Sequence, residues 1–317
     1  MIYKSPYVWP SPAIPFRHYY KSEKLNIYII ENIMHNYNWL NEYKNKIKDT
    51  DFFFVYCGWF HDDWFAKVYN DIFENLKLNK NNFFFLFNSA LEQSILYKYG
   101  FVGEIINHNC WLDENLFSVN PVEKIYDAIL ISRKSKFKRH DLANNVKNLA
   151  LITSGSNHYH DIDYKMPDSI FCPTEAIPYQ DMPKLINQAR SGLILSYKEG
   201  ACFSSSEYLL CGIPVVSTHS YGGRDVWYNE YNSIICEDNP KQISLAVEYF
   251  VNNPKDPNKI RQDHIDLAKK YRKKFVDTLE AIFTRYEINI DAEKYFADNF
   301  FHKMRNCETP NFNMLFK

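Results

Sequence analysis

Two glutamates, Glu199 and Glu207, stand with seven residues between them in SYKEGACFSSSEYLLCGIPVVSTHSYGGRD, residues 196–225. A carboxylate accepts hydrogen bonds from two adjacent sugar hydroxyls, which is the chemistry Glu207 offers. Glu199 and Gly200 read as a turn after a strand, and a short helix follows over roughly 204–211. Gly212 suits the residue just past a helix end. Backbone N–H groups at the head of that helix, from Ala201, Cys202, Phe203 and Ser204 onward, form an anion site, and three consecutive serines add donors. A second cluster, SRKSKFKRH at 132–140, sets Arg133, Lys134, Lys136, Lys138 and Arg139 directly after an apolar run. Five like charges at one strand end repel one another unless a phosphate or diphosphate neutralises them. A solvated basic loop and a nucleic-acid patch are the alternatives, and the net charge of -1 argues against nucleic acid as a partner.

Other candidates are more isolated. His61, His108 and Asn109 follow apolar runs of the N-terminal half, where they are positioned to contact a sugar or an acceptor. Trp59, Trp64, Trp111 and Tyr221 offer faces on which sugars stack, although 54 aromatics imply that most such rings are core. HYHDID at 158–163 holds Asp161 and Asp163 in a D-x-D arrangement that binds a divalent metal, with His158 and His160 as further ligands. Such a triplet arises often by chance. There is no evident covalent nucleophile, and Asp62, Asp63 and His61 are the N-terminal candidates for a general base.

These residues must be held by elements that the apolar pattern locates. Runs at 25–31, 51–57, 82–87 and 101–107 read as strands buried on both faces, and helical patterns at 36–47, 60–79 and 89–99 lie between them. The alternation restarts after Pro121, with strands expected at 126–132, 149–153, 169–173, 191–196, 214–218 and 233–238. Two doubly wound Rossmann-like units follow, over 1–121 and 122–288, with a helical tail over 289–317 that packs back on the first. In such sheets ligands gather beyond the carboxyl ends of the strands, where the candidates above fall.

Composition bounds the rest. With 317 residues, 46% hydrophobic and 24% charged, the chain is an ordinary globular protein. It holds only nine glycines, and five of them (192, 200, 212, 222 and 223) share one 32-residue window. Seven scattered cysteines without a C-x-x-C pair argue against a disulfide framework or a zinc site and point to a reducing compartment. The N-terminal stretch has no apolar signal-like core and no run is long enough to span a membrane, so a cytoplasmic protein is expected. The basic segment KKYRKK (269–274) leaves room for contact with the inner face of a membrane, though a solvated helix face explains it as well.

The run EGACFSSSEYLLCGIPVVSTHSYGG, with Arg133 and Lys138 after the first strand of the second half, resembles GT-B glycosyltransferases of the family 4, or group 1, type. The resemblance covers roughly residues 123–250. It implies that Arg133 and Lys138 bind and stabilise the leaving diphosphate of a nucleotide sugar, and that Glu207 holds the ribose. Glu199 and the amides of 200–203 would meet the donor sugar and phosphates, with Gly222 and Gly223 forming a facing loop. The acid after these two glycines comes one residue earlier than the family pattern, at Asp225, and the N-terminal half lacks the usual glycine-rich acceptor loop. The implied activity is transfer of a sugar to a hydroxyl acceptor with retention of configuration, in bacterial-type surface polysaccharide or glycan synthesis. It needs no metal or other cofactor. A metal-dependent transferase of GT-A type built on Asp161 and Asp163, and a noncatalytic nucleotide-sugar-binding partner in a glycan assembly complex, stand as alternatives.

Overall fold

The computed structural model describes residues 16–153, 164–300 and 302–304. Its chain divides into two compact units, residues 1–111 with 269–317, and residues 112–268. The divisions expected at 121/122 and 288/289 therefore fall elsewhere. The later one lies inside a single continuous helix, which no change in composition marks.

The first unit contains strands β1 (Phe16–Lys21), β2 (Asn26–Glu31), β3 (Asp51–Tyr56), β4 (Phe83–Phe87) and β5 (Val102–Ile105), with helices α1 (Tyr37–Tyr43), α2 (Asp63–Leu76) and α3 (Ala90–Tyr97) between them. The strands lie in simple sequence order, β1 antiparallel to β2 and the rest parallel. Because parallel crossovers are right-handed, steady progress in one direction puts all three helices on one face. The core agrees, since Tyr28, Phe53, Phe83 and Phe85 pack with Trp39 of α1, Tyr69 and Phe73 of α2 and Leu96 of α3. Rings in register stack across the sheet: His18 on Tyr28 at 4.6 Å, Tyr28 on Phe53 at 5.0 Å, and Phe53 on Phe83 at 4.7 Å. This sheet is wound one way, where winding in both directions was expected, and β1 lies in the lead-in that sequence periodicity passed over.

The second unit contains β6 (Ala128–Ile131), β7 (Leu149–Ile152), α4 (Met182–Asn187), β8 (Gly192–Ile194), β9 (Lys198–Glu199), α5 (Phe203–Leu210), β10 (Val215–Thr218), β11 (Tyr221–Gly222), β12 (Ser233–Cys236) and α6 (Pro240–Asn252). Its main sheet is parallel in the order β12-β10-β8-β6-β7. The chain moves from β6 outward to β7, then returns to the other side of β6 and proceeds through β8, β10 and β12. This sheet is doubly wound, with its order reversing between β6 and β8. The strand expected at 169–173 contributes only a bridge from Phe171 to Ala150.

The long helix α7 (Pro257–Arg285) starts in the second unit and ends in the first, followed by α8 (Ala292–Asp298). Within the first unit it covers the sheet face opposite α1–α3: Phe275 lies 4.9 Å from Phe54, and Phe283 lies 4.9 Å from Tyr20. The tail beyond α7 also belongs to this unit, where Tyr295 donates to the Tyr19 carbonyl and Arg17 donates to the carbonyl of Asn299. None of the described helices is long and apolar enough to cross a membrane.

Candidate functional site

The reversal between β6 and β8 opens a crevice at their carboxyl ends, and a small pocket there is lined by Ser132, Lys138, Leu195, Ser196 and Cys202. Lys138 reaches it from the basic loop after β6 and pairs with Glu199. Arg139, held in a left-handed backbone conformation, donates to the Leu195 carbonyl at 2.6 Å and pairs with Asp238. Arg133 remains exposed, with its guanidinium 5.3 Å from the Phe137 ring centre. Of the five cations, Lys138 pairs with Glu199 and Arg139 with Asp238, while Arg133, Lys134 and Lys136 are the more exposed.

His140 closes that loop. It is buried, bonded to Ser132 Oγ at 2.8 Å and to the Tyr164 hydroxyl at 2.9 Å. Burial, assisted by the charge of Lys138, lowers its pKa to about 4, so it is a neutral post at ordinary pH.

Glu199 is set by a glycine. Strands β9 and β11 pair with Gly222 opposite Glu199, and Gly222 has φ +117° with its Cα so near that a Cβ would lie 1.6 Å from the Glu199 carbonyl oxygen. Only glycine permits that approach. The amide of Gly223 adds a 2.8 Å bond to the Gly200 carbonyl. Arg224, fully buried, donates to the Ser196 carbonyl at 2.7 Å and to the Thr218 carbonyl, and it bonds Asp225 at 2.6 Å. It thereby ties together the ends of β8 and β10.

Helix α5 begins at Phe203, directly after Cys202, whose φ of 59° turns the chain into it. The expected helix at 204–211 and its glycine stop agree with this. The Ile213 amide bonds the Tyr208 carbonyl and the Gly212 amide bonds the Leu209 carbonyl, which is the Schellman arrangement. Ala201, Cys202, Phe203 and Ser204 lie at the helix head, beside the crevice. Glu207, one turn further, is buried and accepts a 2.7 Å bond from the Tyr179 hydroxyl. Gly192 also acquires a reason: a Cβ there would lie 2.0 Å from the Tyr208 ring, and that ring's hydroxyl accepts from the Ile131 amide at 2.8 Å. Burial and the nearby Glu199 push the Cys202 thiol up to about 12, so it is no nucleophile at neutral pH.

The first-unit candidates are internal. His61 is fully buried, its amide bonded to Glu92 at 2.9 Å and its Nε2 to the Tyr69 hydroxyl at 3.0 Å. His108 stacks on Tyr56 at 3.7 Å and bonds the Leu86 carbonyl at 2.9 Å, and burial lowers its pKa to about 3. Asn109 is likewise fully buried, with its amide bonded to Asn107. These three, expected to contact a sugar, are enclosed by the first unit's own side chains and backbone: His61 meets Tyr69 and Glu92, His108 the Leu86 carbonyl, and the Asn109 amide the Asn107 side chain. Trp111 is buried against Phe275, whereas Trp64 and Tyr221 are exposed. Asp161, Asp163, His158 and His160 lie outside the described residues.

Nothing in the sequence points to Tyr179. Arg224, Ser196 and His140 lie inside the quoted stretches 196–225 and 132–140, but nothing in their spacing marks them as pins of the crevice.

Residues 164–266 match the family model of glycosyl transferases group 1. No curated protein matches the chain. Among solved structures, HepE of Anabaena in complex with UDP-glucose is similar at 13% identity, with 73% of this chain and 72% of that chain covered and a TM-score of 0.56. A TarM variant of S. aureus in complex with fondaparinux, alpha-GlcNAc-glycerol and UDP gives 16% identity over 78% of this chain and 54% of that one, with a TM-score of 0.57. Sucrose-phosphate synthase of Thermosynechococcus elongatus gives 14% identity, coverages of 85% and 73%, and a TM-score of 0.54. The chain therefore carries a group 1 glycosyltransferase domain and is a glycosyltransferase of GT-B fold.

Proposed function

We propose that the protein transfers a sugar from a UDP-sugar to a hydroxyl of a saccharide acceptor, with retention of configuration, in surface polysaccharide or glycan synthesis. The observation that carries this reading is the switch-point crevice itself, where Lys138, paired with Glu199, and Cys202 at the head of α5 line one pocket, with Arg133 in the loop directly after Ser132. UDP is favoured among nucleotides because HepE and TarM are similar structures in complex with it.

In this reading the bond between the anomeric carbon and the diphosphate oxygen breaks as the acceptor oxygen bonds that carbon. The acceptor proton passes to the departing diphosphate on the same face, and nucleoside diphosphate leaves. Negative charge grows on the leaving oxygens, so Arg133, Lys138 and the amides of 200–204 act most strongly in the transition state. Glu199 keeps Lys138 aimed and faces the donor sugar, with Gly222 and Gly223 behind it. Glu207 accepts from the ribose hydroxyls. In this reading the transfer needs no metal or other cofactor. A GT-A-type reading on Asp161 and Asp163 has no support in a GT-B fold.

A reducing cytoplasmic setting suits the six described cysteines, all free thiols. Peripheral membrane contact through 269–274 has weaker footing, since Arg272 donates to the Cys110 carbonyl, Lys273 pairs with Asp277 and Lys274 pairs with Glu104. The test is a thermal-shift panel of UDP-, GDP-, ADP- and CMP-sugars, followed by the anomeric configuration of the product. Stabilisation by UDP-sugars with a retained anomer is expected. An inverted product would overturn retention, and binding without turnover across saccharide acceptors would favour the noncatalytic alternative.

A further inference from the structure

Away from the crevice, the first unit gathers three metal-ligating side chains in its interior. Cys57 follows β3, His61 lies in the turn before α2, and Glu92 sits in the first turn of α3. All three are fully buried, and their ligand atoms lie within 4.8 Å of one another.

The surroundings orient each of them. The Tyr69 hydroxyl holds His61 Nε2 at 3.0 Å and leaves Nδ1 directed at Glu92, 3.5 Å away. A ligating histidine is commonly fixed through its other ring nitrogen in this way. Glu92 is fixed on both oxygens, by the amides of His61 at 2.9 Å and Asn88 at 2.7 Å. The Asn88 side chain in turn donates to the Cys57 carbonyl at 2.8 Å. Glu31 adds a second buried carboxylate close by, against Gly58, where a Cβ would lie 2.6 Å from its Oε1. A thiol, an imidazole and a carboxyl gathered in the interior offer the ligand types of a soft divalent cation, and Glu31 beyond them is paired with His35 at 2.6 Å.

We propose that Cys57, His61 and Glu92 form a structural Zn²⁺ site that clips the end of β3 to α3. Thiolate, imidazole and carboxylate together select zinc over calcium or magnesium, which prefer oxygen ligands. Zn²⁺ with one thiolate and one carboxylate is neutral, as a fully buried site requires. Binding releases the thiol proton, and the carboxyl proton where present, to solvent. Zinc ligands stand about 2.0–2.3 Å from the metal, so the three atoms close inward by roughly an ångström. The second Glu92 oxygen or a water completes four-coordination. This site is independent of the transfer reaction, and the sequence reading, which expected no zinc site because there is no C-x-x-C pair, did not contain it.

The test uses the full chain purified without chelator. Metal analysis should find about one equivalent of zinc, chelation should lower Tm, and added Zn²⁺ should restore it. Replacement with Co²⁺ should give a thiolate-to-cobalt charge-transfer band that Cys57→Ser removes and the Cys172→Ser control keeps. Should Cys57→Ser fail to fold, Glu92→Gln, which keeps the shape, should weaken Co²⁺ binding at least tenfold. A wild-type protein with no retained metal and no cobalt band overturns the proposal. So does a band unchanged in Cys57→Ser, or full Co²⁺ affinity in Glu92→Gln.

Discussion

The two five-stranded sheets place titratable residues at the carboxyl ends of their strands, but with opposite results. In the first unit His61, Glu92 and His108 turn inward and are covered. In the second, Arg133 stays exposed and Lys138 lines a pocket. Strand order explains the difference. A sheet wound in one direction has neighbouring loops that all leave toward the same face, so no crevice separates them. The sheet whose order reverses between β6 and β8 sends adjacent loops to opposite faces and leaves a gap at its switch point. A loop's position after a strand is therefore not enough to make it a ligand site.

The sharpest way to break this comparison is to remove the crevice cations. Arg133→Ala or Lys138→Ala should lower kcat by about 10²-fold or more, as loss of a preorganised charge stabiliser does. His108→Gln in the first unit should leave kcat within twofold at a permissive temperature while costing about 1–3 kcal/mol of stability, measured by urea unfolding. If the two variants exchange these phenotypes, the assignment of chemistry to the second sheet is wrong.

Glu207→Ala comes next. Loss of hydrogen bonds to a charged acceptor is worth about 1.5–3 kcal/mol, so donor KM should rise roughly 10- to 100-fold. Tyr179→Phe removes only one neutral donor to Glu207 and should change donor KM by about threefold. An unchanged KM in Glu207→Ala would separate that carboxylate from the ribose. Gly192→Ala acts through packing: its methyl group meets the Tyr208 ring, so about 1–3 kcal/mol of stability should be lost, seen as a lower Tm.

The legible parts of the sequence were those where one local rule decides. Buried parallel strands show as apolar runs, and nine of the ten expected strands contain a strand of the main sheets. Gly212 announced the end of α5, and the basic loop after β6 held Lys138, which lines the crevice. Strand β1 was illegible because FRHYYK mixes charge with rings and pairs with a register shift between His18 and Tyr20. The inward turn of His61 and His108 was illegible for another reason: it depends on partners 31 and 22 positions away, Glu92 and Leu86, that only the folded sheet brings close. Gly192 needed the Tyr208 ring to acquire meaning, and strand order, which decides where a ligand can enter, is carried by no single segment.

The smallest expected effect is a pH test that separates the two environments. His140 and His108 both have depressed pKa values, about 4 and about 3, against 6.5 for the free side chain. In each case the unfolded chain binds a proton that the folded one refuses as pH falls below about 6.5. Stability is therefore lost on acidification, starting near 6.5 and levelling off below the folded value. The causes differ: burial dominates at both, but Lys138 adds to it only at His140. Lys138→Ala should raise the His140 pKa and narrow its acid-sensitive window while leaving His108 unmoved. Imidazole NMR titration of both residues in wild type and variant reads this directly. An equal shift at both would mean that a global loosening, rather than the local charge of the crevice, sets the His140 titration.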